Sequence, residues 1–425
     1  MKKLSTLFLP CLLALGLRAL SLRAQDSVLT LAGQPLASGA ANGSGTNALF
    51  HDPAALAADT NGNCFVADSQ NDAIRKIATN GQVTTFAGQL GVAGTADGSG
   101  TSAQFNSPCG LAFAPNGNLL VSDTANDTIR EITPGGTVTT IAGVPGAGGF
   151  LDGSAGGALF HSPLGIAIAR NGDVYVADGG NHCIRRLSSG VVSTFAGQPQ
   201  VWGSKDGMGT NAQFNSPCGL AFDPAGNLFV GDANNDTIRK ITTNGLVSTF
   251  AGAAGQDGAT DGALASARFR CPAELAFDLA GNLFVADSFN QIIREISANG
   301  IVSTVSGWPG ESGAVDGSNG VARFFNPYGV AVAPDGSLLV ADAYNEILRV
   351  VLVPFQLSLQ LHGPTQTTLI SWSSVINRQY QVQFKSALSS AWTNLGPPVT
   401  ATSLKLTVPE NVSASPGLFR VLRLN

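Results

Sequence analysis

The hexapeptide VTTFAG at Val83–Gly88 is one of six related segments, and their spacing constrains the fold more than any other feature of the chain. VLTLAG begins at Val28, VTTIAG at Val138, VSTFAG at Val192 and again at Val247, and VSTVSG at Val302. The closing Gly falls at 33, 88, 143, 197, 252 and 307, a period of 54 or 55 residues. A fixed period of this length marks one supersecondary unit stacked on copies of itself. Within a unit, as from Pro217 to Gly252, four apolar runs are separated by turn sequences: GLAFD, NLFVGD, TIRKIT and VSTF, broken at P-A-G, A-N-N-D and T-N-G. Alternating runs of that length between such turns predict four short β-strands.

A single four-stranded unit cannot bury both of its faces, whereas six set radially bury them against one another. The expected fold is therefore all-β, a six-bladed β-propeller over residues 25–354. The chain opens on a lone fourth strand, Val28–Gly33, and the sixth unit stops after its third, Ile347–Val353. The first strand should complete the last blade and close the ring. Composition agrees: 12% charged residues and 52 Gly suit short strands and turns better than long helices.

Residues 1–24 read as a signal peptide, with Lys2 and Lys3 ahead of an apolar run from Leu4 to Leu17 that is short for a membrane span. The expectation is a secreted or periplasmic protein, monomeric, with no membrane span in the mature chain. Residues 25–354 hold 14 basic and 27 acidic residues, a net charge of −13. A surface so acidic repels phosphate backbones and argues against nucleic acid as a partner. Five cysteines follow the leader, Cys64, Cys109, Cys183, Cys218 and Cys271, none of them in a C-x-x-C. They read as small buried apolar residues rather than a disulfide framework.

Each unit carries V-A-D-x-x-N-x-x-I-R, at Val66–Arg75, Val121–Arg130, Val176–Arg185, Val230–Arg239, Val285–Arg294 and Val340–Arg349, with Ser122, Gly231 and Leu348 as the departures. This core resembles the NHL repeat family. The resemblance implies a propeller that serves as a binding platform for a protein or glycan ligand. Some relatives are enzymes, so the fold alone does not assign the function.

After Pro354 the repeat stops. Residues 355–425 show strand-like runs at Phe355–Leu361, Thr367–Trp372, Gln379–Lys385, Leu404–Val408 and Leu418–Leu424, with Trp372 and Trp392 as candidate core residues. This segment resembles a fibronectin-III-like β-sandwich module. Asn411–Ser413 forms a glycosylation sequon.

In a propeller, the turns between second and third strands and the blade-joining loops open on one face, and loops on a rigid scaffold usually carry binding. The repeated Asp68 and Arg75 series reads as a structural ion pair in each blade, and the Asp97 series, with Asn42 in the first blade, as a turn former. Departures from the repeat are more informative. Glu274 stands where the other units have Ala55, Gly110, Gly165, Gly219 and Gly329. Its placement near the central channel resembles the calcium-binding acid of gluconolactonase-like propellers, and Arg270 is its expected ion-pair partner. Trp202, Trp308 and Tyr328 offer stacking surface for a sugar or peptide. His51, His161 and His182 could in number hold zinc, but they fall on different segments, and loop roles are favoured. No G-x-S-x-G, H-E-x-x-H or phosphate-cradling loop is present. The favoured reading is a non-enzymatic binding or scaffold protein with no cofactor. The alternative is a calcium-dependent lactonase or lyase with Glu274 as a metal ligand.

Overall fold

The computed structural model describes residues 9–10, 27–318, 320–334 and 336–352, together with the strands of the tail between 357 and 424. Six separate antiparallel sheets follow one another along the chain. Blade 4 is typical. Its strands are Pro217–Phe222, Leu228–Asp232, Thr237–Ile241 and Leu246–Gly252. A two-residue strand, Gly207–Met208, pairs with the outermost strand from outside, so each sheet has five strands where the repeat predicts four.

The innermost strands, Pro53–Ala58, Pro108–Phe113, Pro163–Ile168, Pro217–Phe222, Pro272–Phe277 and Pro327–Val332, are each neighbours of the next, and the last is a neighbour of the first. The ring closes as the sequence expects. Ser27–Ala32 lies between Gly317–Ser318 and Ile347–Leu352 in the sheet of blade 6. Thr30 fastens it there, its N–H and hydroxyl each donating to the Asp316 carboxylate at 3.0 Å.

The second strand of every blade is buried along its whole length, because both of its faces lie against neighbouring blades. Aromatic side chains cross the seams edge to face: Phe229 meets Phe250 of its own blade at 4.9 Å and Phe277 of the next at 5.0 Å. The Gly of P-x-G has a steric cause. A Cβ on Gly165 would sit 2.3 Å from the Cys218 carbonyl oxygen of the next blade. At the tight turns, Gly226 supplies a φ of +87° that side chains resist.

The Asp–Arg pair is present in all six blades, fully buried, at 2.6 to 2.9 Å. In blade 4 the Asp232 carboxylate accepts the Asn215 N–H, the Asn235 amide and Arg239 Nη1. Arg239 also donates to the Gln213 carbonyl and to Asp206, and lies over the Phe214 ring at 5.1 Å. The Asp97 series is thus more than a turn former: Asp97, Asp152, Asp206, Asp261 and Asp316 each pair with their blade's arginine, and Asn42 takes that place in blade 1. One buried guanidinium thereby ties the blade-joining loop to the sheet.

The structure divides into two compact units, one of residues 27–333 with 337–351, the other containing the tail. The tail has one sheet of Leu357–His362, Thr367–Ser373 and Lys405–Glu410, and another built on Gln379–Lys385 and Leu418–Leu424. The expected leader, apart from Leu9–Pro10, which pair with Leu418 and Phe419, lies outside the described residues, as do Trp392, the Trp372 side chain and the sequon. Among the described residues no helix is long and apolar enough to cross a membrane.

Candidate functional site

The turns between second and third strands are single 3-10 turns ending in a left-handed residue: Asp72, Asp127, His182, Asp236, Gln291 and Glu346. Each of these side chains accepts a backbone N–H from the next blade. Asp72 takes Ser107 at 2.9 Å, Asp127 takes Ser162 at 2.7 Å and Asp236 takes Cys271 at 2.9 Å. Gln291 takes Asn326 at 2.6 Å, and Glu346 takes Asp52 at 2.5 Å across the ring closure. In blade 3 the acceptor is His182 Nδ1, 3.1 Å from the Ser216 nitrogen. A ring of six latches therefore holds the loop face. His182 is explained by this role, while His51 and His161 are exposed and donate only their backbone N–H groups, to Asp68 and Asp178. Among the described residues no group of three His, Cys, Asp or Glu side chains could hold a metal.

Inside the ring of latches, the inner strands line the channel mouth. Tyr328 of blade 6 reaches across it, its hydroxyl 2.9 Å from Cys218 Sγ of blade 4 and 3.6 Å from Cys109 Sγ of blade 2. The ring is partly buried against an apolar cluster of Cys218, Ala233 and Ala273, with Leu164 also packed there. Tyr328 thus plugs the mouth rather than standing free on a loop. Burial pushes the Cys109 thiol up to about 12 and the Cys218 thiol well above its ordinary range, so neither is a thiolate nucleophile at neutral pH. The five cysteines are free.

Glu274 lies beside these thiols and raises the pKa of both. Its Oε2 is buried and has no hydrogen-bond partner among the described residues. Burial pushes its carboxyl up to about 7, against the lowering effect of the Leu275 N–H. The expected Arg270 partner is not there: Arg270 pairs with Asp257 at 3.3 Å, both groups being exposed. Arg270 lies before the left-handed residue Cys271 and Glu274 on the inner strand after it, so a spacing that makes neighbours on a helix does not do so here.

Trp308 is 47% exposed, and the Arg323 guanidinium, paired with Glu311, covers one side of its ring at 5.2 Å. Its loop rests on the turn of blade 5, where the Gly310 N–H donates to the Asn290 carbonyl. That turn carries Phe289 at its tip, and the next blade's turn carries Tyr344, each 50% exposed. Tyr344 meets Phe325 edge to face at 5.2 Å. Leu36, 71% exposed, hangs from the Asn345 carbonyl on the far side. Trp308, Phe289, Tyr344, Phe325 and Leu36 therefore share the sector of blades 5 and 6. Trp202, 70% exposed, stands apart on the loop joining blades 3 and 4. An open groove of about 490 Å³ near that seam is lined by Phe150, Asp152, Lys205 and other polar groups, and by none of the expected site residues.

Phe289 and Tyr344 are not among the site residues expected from the sequence. The signal was in the repeat: the same column reads Gln70, Ala125, Gly180 and Asn234 in the first four blades.

Comparison with known proteins supports the same organisation. The NHL repeat family matches residues 160–187. The chain is 30% identical over 275 residues to the chloroplastic protein Suppressor of quenching 1 of Arabidopsis thaliana, covering 61% of this chain and 26% of that one. It is 28% identical over 322 residues to NHL repeat-containing protein 2 of Homo sapiens, covering 67% of this chain and 44% of that one. The chain thus spans less than half the length of these curated relatives. Among solved structures, a protein of unknown function from Bacteroides thetaiotaomicron aligns with a TM-score of 0.62 at 22% identity, over 77% of this chain and 76% of that chain. A protein from the same organism described as an auxiliary nutrient binding protein aligns at 0.59 and 16% identity, over 78% and 77%. At these identities the likeness is one of fold. The matched repeat, whose pattern recurs in phase in all six blades, and the closed ring of blades support an NHL-repeat β-propeller.

Proposed function

We propose that this protein is a secreted, non-enzymatic binding protein, monomeric, that captures a peptide or glycan ligand on its loop face in the sector of blades 5 and 6. The observation that carries the reading is the gathering of Phe289, Trp308 and Tyr344, each about half exposed, on a face whose other turns are tipped by Gln, Ala, Gly and Asn. Exposed aromatic side chains lose area to water at no gain to the fold, and they bind well because they bring large contact area at low entropy cost. Residues 1–24 serve as the export signal in this reading, and residues 355–425 form a fibronectin-III-like module that spaces or anchors the propeller.

Glycan and peptide arrays probed with the full chain test this. Binding that is lost in a Phe289→Ser, Tyr344→Ser double variant of unchanged melting temperature supports the sector. Binding that survives in the double variant contradicts it.

A second reading, a calcium-dependent lactonase or lyase, is favoured by Glu274 Oε2 alone, a buried oxygen with no partner among the described residues. Metal analysis of protein purified without chelator separates the two. One equivalent of calcium, absent from Glu274→Gln, would establish the metal reading and make lactone hydrolysis the next assay.

A further inference from the structure

The open groove near the seam of blades 3 and 4 lies where the repeat is broken. Each blade-joining loop contains a fully buried Phe: Phe50, Phe105, Phe160, Phe214, Phe269 and Phe324. The place nine residues before it reads Ala41, Ala96, Leu151, Lys205, Thr260 and Val315. Ten residues before it stand Ala40, Thr95, Phe150, Ser204, Ala259 and Ala314, and twelve before it Ser38, Ala93, Gly148, Trp202, Asp257 and Ser312. Lys205, Phe150 and Trp202 are thus each the sole cation or aromatic in their column. Five blades build the same loop without them.

Two of the three meet on one surface. Phe150 and Lys205 line the groove of about 490 Å³ together with Gln198, Pro199, Thr210 and Asn211. That volume falls within the roughly 300 to 1,000 Å³ of small-ligand sites. Trp202, 70% exposed, follows the turn of the same loop in which the Val201 N–H donates to the Gln198 carbonyl at 3.2 Å.

The lining selects the ligand. Lys205 serves the fold through its carbonyl, which accepts the Gln213 N–H at 2.9 Å and Arg239 at 3.3 Å. Its ammonium has no ion pair or side-chain hydrogen bond among the described residues. The carboxylates beside it are already neutralised, Asp152 by Arg185 and Asp206 by Arg239, each at 2.7 Å. Other cations of this face are engaged: Arg270 with Asp257, Arg323 with Glu311, and Arg268 with Gln256 and two backbone carbonyls. The Thr210 hydroxyl and the Asn211 amide also have no partner among the described residues, and both can donate and accept, as sugar hydroxyls do. Aromatic faces suit the apolar face of a sugar ring. One free cation among neutral groups, in a propeller of net charge −13, suits a single carboxylate and disfavours a polyanion.

We propose that this groove is a second ligand site, taking an oligosaccharide that carries one carboxylate on a uronic or sialic acid residue. The Lys205 ammonium holds the carboxylate, Thr210 and Asn211 meet the ring hydroxyls, and Phe150 and Trp202 offer stacking faces. The site is separate from the sector of blades 5 and 6 and does not depend on that reading.

The test is an array of glucuronate-, galacturonate- and sialate-terminated oligosaccharides, each beside its neutral parent, with acidic peptides in parallel. Calorimetry of the full chain with the strongest acidic glycan and its parent follows. One-to-one binding is expected, with the parent weaker by about tenfold or more, the worth of one charge-assisted contact. Lys205→Ala, which installs the residue of blades 1 and 2, should remove that preference and leave the parent's affinity unchanged. Lys205→Arg should keep the preference, which misfolding cannot mimic. Arg170→Ala, the same charge change on an exposed tight turn of the opposite face, should alter binding by less than about twofold. Trp202→Ser, which installs the residue of blades 1 and 6, should weaken acidic glycan and parent together. Equal weakening by Lys205→Ala and Arg170→Ala would reduce the effect to general charge and overturn the proposal. Absence of acidic-glycan binding would also overturn it, as would acidic peptides that bind as tightly in a Lys205-dependent way. A glycan lost in Lys205→Ala but kept in the Phe289→Ser, Tyr344→Ser variant supports the groove. The reverse pattern assigns the glycan to blades 5 and 6 and overturns the groove.

Discussion

In blades 1 to 4 the turn between second and third strands is tipped by Gln70, Ala125, Gly180 and Asn234; in blades 5 and 6 it is tipped by Phe289 and Tyr344. Beneath those tips the two sectors are alike. Asp123 with Arg130 and Asp287 with Arg294 are the same fully buried pair, at 2.6 and 2.9 Å, held by the same Asn and the same loop carbonyls. The difference teaches where stability and function separate. What six blades share is the cost of building a blade, and what two blades alone carry is free to serve a ligand.

The largest break in this comparison removes the closure common to both sectors. Deleting residues 27–32 takes the fourth strand from blade 6 and leaves an unpaired edge on Ile347–Leu352. A large fall in melting temperature and aggregation are expected in calorimetry and light scattering. A deletion protein that melts like the full chain would refute ring closure by the N-terminal strand.

Next in size is the buried pair. Arg130→Met and Arg294→Met each strand a buried carboxylate and should cost about 3 to 5 kcal/mol in denaturant unfolding. The account requires the two losses to be similar, since the networks are the same in both sectors. A much smaller loss in blade 5 would mean that the aromatic sector is built differently.

The latches come third. Five of the six accept through oxygen, and His182 accepts through Nδ1. Burial and the neighbouring His161 hold the His182 imidazole below its ordinary 6.5. In the mid-acid range the unfolded chain therefore binds the proton more readily than the folded one. The latch contributes fully above about pH 6.5 and is lost as pH falls through the lower, folded value. The loss is of the order of one hydrogen bond, about 1 kcal/mol. His182→Asp, which installs the residue of blades 1, 2 and 4, should remove that acid-sensitive component of the melting temperature. If the pH profile is unchanged, His182 is not a titrating latch.

The smallest stability effect belongs to the tips. Phe289→Ala and Tyr344→Ala should change stability by less than about 0.5 kcal/mol, as for exposed positions in general. A larger loss would make these aromatic side chains part of the fold and weaken their assignment to a ligand.

Much of this architecture was legible because it is periodic. The 55-residue spacing gave the blades, their strands and the closing strand, and the repeated Asp and Arg announced a structural pair. The latch ring was not legible for the opposite reason. Its members, Asp72, Asp127, His182, Asp236, Gln291 and Glu346, share a hydrogen-bond acceptor and a left-handed backbone, not a residue type. Glu274 stood out as a carboxylate among glycines, but its surroundings come from Cys109, Cys218 and Tyr328 on other blades, which only the closed ring brings together. Phe289 and Tyr344 were visible as a column in the repeat. Their meaning depended on knowing that the column faces solvent.

The sector assignment is tested most directly by hydrogen–deuterium exchange of the full chain, with and without a ligand selected on the arrays. The account predicts slowed exchange at 288–291, 308–313 and 343–346, on the loop face of blades 5 and 6, with 124–127 and 179–182 unchanged. Protection centred on the turns of blades 2 and 3, or on the tight turns at 59–63 and 223–227, would contradict it.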